Sequence, residues 1–282
     1  MVTQRDQPLH HAALSLLDGT IETLTSSRSD ESVHAARKAA KRIRAALRLM
    51  RDSLGRRAYR RENGRVRDAA KPLTAVRDAF ILRKHLRSIS ARSLALHQEL
   101  DAEYHRQRDA VESQGWLESV ARFQATRAQL AAAPALPSEG KSAIAGVRKS
   151  YKAGRNACAR ARSGRDRALH EWRKQTKYLL NQLELLHTVF NVELKKLHRR
   201  ADELADVLGD DHDLGVLLSK ARRYDATNRR LAKHIKRRRR KLQARALQLG
   251  HKLYRRSAKR IRTLLAAKLG VDARRSARSS PR

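Results

Sequence analysis

An all-α fold is predicted by three observations: helical spacing of apolar residues along nearly the whole chain, scarce proline and few aromatics. Five prolines and an aromatic content of 4% are too few for the many turns of a sandwich or barrel. Hydrophobic residues make up 40% of the 282 residues and are mostly Ala and Leu. That is enough for a lean core, and their periodicity separates the chain from disordered sequences. The length suits one large helical domain or two smaller ones.

In order, the periodicity predicts helices near 5–26, 31–53, 57–72, 74–90, 93–114 and 116–132. Asp30 is the expected N-cap of the second, with Gly55 just past its end. Ala133-Pro134-Ala135-Leu136-Pro137-Ser138 breaks the pattern, because two prolines in a small-residue stretch mark a linker. Helices resume near 141–163, 167–190, 193–208, 211–223, 227–249 and 251–269. Gly209 is expected to close one of these, with the acids of Asp210-Asp211-His212-Asp213 favouring the positive start of the next. The organisation is therefore a first helical bundle (1–132), a linker (133–140), a second bundle (141–270) and a disordered basic tail (271–282).

Lys and Arg number 65 against 28 Asp and Glu, a net charge of +37. The single Cys158 excludes an internal disulfide and a Cys-based zinc site, and agrees with a reducing compartment. No basic n-region precedes the short apolar run near the start, so no secretory signal is expected. The longest uncharged apolar stretch, 128–137, is too short to span a membrane and contains two prolines. These features predict a soluble cytoplasmic protein built around a polyanion.

An internal repeat lies astride the linker. Val33-His34-x-x-Arg37-Lys38-x-x-Lys41-Arg42 matches Leu169-His170-x-x-Arg173-Lys174-x-x-Lys177-Tyr178 at a displacement of 136. Leu73-x-x-x-Arg77-Asp78 matches Leu208-x-x-x-His212-Asp213 at 135. Two pairs at nearly one offset indicate a duplicated helical unit, two bundles related by a pseudo-two-fold.

At 100° per residue, His34, Arg37, Lys38, Lys41, Arg44 and Arg48 share one helix face, opposite Ala36, Ala39, Ala40, Ile43, Leu47 and Met50. His170, Arg173, Lys174 and Lys177 repeat the pattern over Leu179, Leu183 and Leu186. A solvated charged face would normally mix signs. No acid lies between Glu31 and Asp52, so these cations lack i,i+4 carboxylates and repel one another unless an anion relieves them. Arg offers a planar fork for phosphate oxygens and Lys a movable point charge. His donates one hydrogen bond when neutral, and its neighbours oppose its protonation. Arg148, Lys149, Lys152 and Arg155 precede the second motif helix. From Ala226 to Val271 there is no acid at all, and this region holds the run Lys236–Lys241.

Non-specific nucleic-acid binding through phosphates is the rival reading, but aromatics for base stacking are sparse and lie apart from the motif cations. Glu31-x-x-His34 and Glu184-x-x-His187 have a di-iron spacing. The first is ringed by cations and the second lies in a leucine-rich stretch, so no metal or cofactor is expected. No P-loop or Gly-x-Ser-x-Gly elbow occurs, and no catalytic residue is predicted.

The duplicated His-x-x-Arg-Lys signature and the Arg77-Asp78 element resemble the paired signature helices of the CHAD family over roughly 5–265. The resemblance implies two helical bundles around a basic central channel that binds inorganic polyphosphate, and association with polyphosphate granules. By motif the binding positions would be His34, Arg37, Lys38, Lys41, Arg42 and Arg44, with His170, Arg173, Lys174 and Lys177 in the second half. Arg48 extends the first row, and Lys152 and Arg155 are neighbouring candidates. Tyr178 and Leu180 stand where Arg42 and Arg44 stand in the first half, and His212 replaces the Arg of the Arg-Asp element. The Glu-x-Glu-x-Lys motif of triphosphate-hydrolysing relatives is absent, which implies the stand-alone binding form.

Overall fold

The computed structural model describes residues 7–88, 94–134, 136, 138–224 and 229–271. Among these residues it is built of α-helices without strands: α1 (Pro8–Ser26), α2 (Asp30–Leu49), α3 (Arg51–Leu54), α4 (Arg56–Ser88), α5 (Leu94–Ala110), α6 (Trp116–Ala131), α7 (Glu139–Ala161), α8 (Asp166–Phe190), α9 (Lys195–Tyr224), α10 (Arg229–Leu253) and α11 (Ala258–Lys268). A single π-helical turn, Val111–Gly115, joins α5 to α6. The expected basic tail beyond Val271 lies outside the described residues.

Two expected helix breaks are absent, for one physical reason. Pro72 sits inside α4, although an interior proline costs about 3 kcal/mol. The buried stripe Val66, Ala69, Leu73, Val76, Ala79, Leu82, Leu86 runs through it without interruption, and its burial outweighs the lost hydrogen bond. The π-helical turn seats on this proline: a Cβ at Gly115 would lie 3.0 Å from Pro72 Cβ. Likewise α9 continues through Gly209 and the acidic segment, carried by the buried series Leu204, Leu208, Asp211, Leu214, Leu218. The expected helix boundary at Gly209 is thus corrected. Asp211 lies in the helix interior, 2% exposed, where Arg239 Nε (3.0 Å) and Gln243 Nε2 (2.9 Å) donate to its carboxylate. The start of α2 is a smaller correction. Ser29, not Asp30, is the N-cap, its hydroxyl accepting from Ser32 N–H, while Asp30 falls in the first turn, where its charge favours the helix dipole.

Helices α1, α2, α4 and α6 pack on one another, as do α7 to α11, and α2 crosses to α7 and α8. The larger apolar cluster combines residues from both sides of the 133–140 segment, from Leu9 to Ala266. A second cluster joins Leu82, Leu86, Leu96 and Leu100 to Leu214, Leu217, Leu218, Leu231 and Ile235. The core therefore does not divide at the segment.

Specific contacts hold this seam. Buried Glu139, the first residue of α7, accepts hydrogen bonds from Leu9 N–H (2.7 Å) and His10 N–H (3.0 Å). It thus supplies the cap that Gln7 does not provide to α1, satisfying orphan donors at the positive helix end. Ser142 donates to Leu49 C=O at 2.7 Å. Gly146 is required where α7 meets the end of α2, since a Cβ there would lie 2.8 Å from Arg48 C=O.

Candidate anion-binding cleft

Between α2 and α4 on one side and α8 and α9 on the other lies a cleft of about 860 Å³. Its existence follows from side-chain size. Ala40, Ala70, Ala205 and Gly209 line it, so four long helices face one another without filling the space between them. A Cβ at Gly209 would meet nothing within 4 Å.

The walls are strongly cationic. Helix α2 contributes Arg37, Lys41 and Arg44, α4 contributes Arg67, Lys71 and Arg77, and α8 contributes His170, Arg173 and Lys177. Facing cations raise one another's local potential within a partly desolvated space. Burial and the neighbouring Arg37, Lys177, Arg173 and Arg77 lower the Lys41 pKa to about 8. Burial, then Arg173, also lowers that of Lys177, against Asp206, Asp213 and Asp202. Desolvation and the surrounding cations lower His34 and His170, which favours the neutral imidazole in both.

Arg37 is held in place by Thr74 Oγ1, which accepts from its Nε, and by Asp78, 3.3 Å from its Nη2. Arg44 Nε donates to Asn63 Oδ1 at 3.1 Å. These partners fix guanidinium orientation while leaving donors for a ligand. Across the cleft Arg173 Nε is buried without a hydrogen-bond partner. His170 and His212 approach with Nδ1 atoms 3.4 Å apart, one ring donating to the other. The Asp78 and Asp213 positions of the repeat differ in partner. Asp78 pairs with Arg37 of α2, whereas Asp213 lies 3.4 Å from His85 Nε2 of α4.

Of the residues expected from the sequence, the cleft brings together Arg37, Lys41, Arg44, His170, Arg173 and Lys177. His34 feels Arg77 and Lys41 from α2's first turns. Arg48 lies over the Tyr178 ring, 3.6 Å from its centroid, and donates to Arg44 C=O. It thus joins α2 to α8, and Tyr178 is its stacking surface in the place of a cation. Lys38, Arg42, Lys152, Lys174 and Arg155 are not among the cleft-lining residues. Lys38, Lys152 and Arg155 are exposed elsewhere, Lys174 pairs with Glu171 at 2.5 Å, and Arg155 lies beside Tyr151 with Arg256 and Arg200. Sequence reasoning missed Arg67 and Lys71, and did not place Arg77 in the cleft. The signal available was their i, i+4 and i+10 spacing on α4. It also missed Asp206, Asp210 and Asp213, an acidic wall on α9.

Among the described residues no group of three or more His, Cys, Asp or Glu side chains is arranged to hold a metal, and no helix is long and apolar enough to cross a membrane.

Fold and site together define an all-helical protein with a cationic cleft between facing helix pairs. The chain belongs to the CHAD domain family, whose model matches residues 10–222. It is similar in fold to the crystal structure of the CHAD domain from the plant Ricinus communis, with a TM-score of 0.53 and 18% sequence identity, over 94% of this chain and 91% of that chain. No curated protein sequence matches the chain.

Proposed function

We propose that the cleft binds inorganic polyphosphate, that the chain acts as a binding protein without turnover, and that this binding associates it with cytoplasmic polyphosphate granules. The observation that carries the reading is the convergence of both signature helices on one space: Arg37, Lys41 and Arg44 from one repeat, Arg173 and Lys177 from the other. Neither helix alone offers more than a short row of cations, and exposed pairwise attractions are individually small. Together, across a cleft whose cations are unneutralised enough to depress Lys41, they suit a narrow polyanion of high charge density. Asp206 and Asp210 repel such a ligand, so the chain would run against α2 and α4 with Arg173 and Lys177 reaching it from across the cleft. Family membership and the repeated signature agree with this function.

Gly209→Leu tests the site with a small change. Its Cβ meets nothing within 4 Å, the rest of the side chain extends into the cleft, and removing an interior helix glycine gains about 0.5–1 kcal/mol on the Gly-to-Ala scale. The expected result is a melting temperature equal to or above that of the parent, with polyphosphate binding strongly reduced. Unchanged binding by the folded variant would place the ligand elsewhere. Incubation of the parent with polyphosphate and Mg²⁺ should release no phosphate above a blank.

A further inference from the structure

The run Lys236–Lys241 is not uniform. Arg239 turns inward, its guanidinium shared between Asp166 (2.6 Å) and Asp211 (3.0 Å), at 11% side-chain exposure. Its neighbours do the opposite. At 100° per residue, Arg230, Lys233, Lys236, Arg237, Arg240 and Lys241 fall within one arc of α10, opposite Leu231, Ile235, Leu242, Ala246 and Leu249. All six are exposed, and none is paired with a carboxylate among the described residues. The helix supplies no acid of its own. The acids of α9 at 206, 210 and 213 face the cleft, and Asp211 is consumed by Arg239. From Arg230 to Lys241 the row is about 16 Å long at 1.5 Å per residue.

We propose that this outer face of α10 is a second polyanion site, distinct from the cleft, that binds duplex nucleic acid through its phosphates without reading sequence. The surface is convex and touches a ligand from one side only, so its affinity comes from counterion release. That term is large for a duplex, which carries a charge every ~1.7 Å of axis. A duplex is wider than its major groove, itself about 12 Å across, and so cannot enter a cleft of 860 Å³, whereas an open helix face accepts it. Arginine forks at 230, 237 and 240 match phosphate oxygens. A lipid surface is disfavoured because α10's apolar face is packed on α9 and has nothing to insert. The absence of aromatics on the row limits recognition to the backbone.

The test is a double dissociation on the full chain, with helicity of each variant checked by circular dichroism. Lys236→Gln, Arg237→Gln, Arg240→Gln and Lys241→Gln are combined, and Arg239 is kept because it holds Asp211. A labelled mixed-sequence DNA duplex at near-physiological salt should bind this variant about tenfold or more weakly, with the log–log salt slope reduced by roughly 3–4. Gly209→Leu should bind the duplex as the parent does. The proposal is overturned if both variants lose duplex binding equally, if the α10 variant loses none, or if anionic vesicles are bound through this face and the duplex is not. Polyphosphate binding is measured separately on the same proteins, so failure of the cleft reading leaves the duplex result legible.

Discussion

Replacing Lys41 and Lys177 together by alanine is expected to weaken polyphosphate binding by on the order of 100-fold or more, with the helices intact. Each ammonium faces the cleft, and each charge-assisted hydrogen bond contributes about 1.5–3 kcal/mol. The two come from opposite repeats, so loss from either side should be felt by one ligand. Both side chains are cationic neighbours in the free protein, so their removal relieves repulsion and should not lower the melting temperature. The matched control is Lys38→Ala with Lys174→Ala. It removes equal charge from the same two motifs, but neither residue lines the cleft, and the expected loss is within about threefold. Titration at near-physiological salt distinguishes the pairs, and equal losses would mean that affinity follows net charge alone.

The second large effect is on stability. Arg239→Ala is expected to destabilise the protein by about 3–5 kcal/mol, the cost of leaving one partner of a buried ion pair. Asp211, with a side chain 3% exposed, would retain only the Gln243 amide. Denaturant unfolding measures the loss. Asp211→Asn with Arg239→Gln should recover part of it by removing both charges. The exposed Arg238→Ala, one position away, is expected to stay within about 0.5 kcal/mol of the parent. If Arg239→Ala costs no more than Arg238→Ala, the inward pair does not hold α8, α9 and α10 together.

How much of this was legible beforehand depended on whether a property was local. Helical periodicity, the Gly55 stop and the one-sided rows on α2 and α8 are local, and the residues that carry them stand in the structure as helices and cleft walls. The boundaries at Pro72 and Gly209 were misread because local breaking tendency was weighed without the buried stripes that run through both positions. Asp211 was read as a helix-start acid for the same reason, since its partner Arg239 lies on another helix, 28 positions away. The one-face reading of the signature grouped Lys38 with Arg37 and Lys174 with Arg173. A helix face is wider than the stripe a cleft uses, and the adjacent lysines fall outside it. Arg67 and Lys71 were passed over because the repeat element on α4, Leu73 to Asp78, does not include them. The place of α4 beside α2 is a tertiary fact.

The most direct test of the cleft as the polyphosphate site is proton linkage. A Lys41 that titrates at about 8 in the free protein is about half protonated at pH 8, and a bound polyanion favours the ammonium and raises that value. Affinity therefore falls as pH rises through 8, and binding at pH 8 takes up protons. Calorimetric titration of polyphosphate at pH 8, in two buffers of different ionisation heat, reads the uptake directly. Net proton uptake is expected for the parent, and a smaller uptake for Lys41→Arg, whose charge at 41 is fixed while Lys177, also lowered, still titrates. No uptake by the parent, or the same uptake in Lys41→Arg, would contradict the cleft assignment.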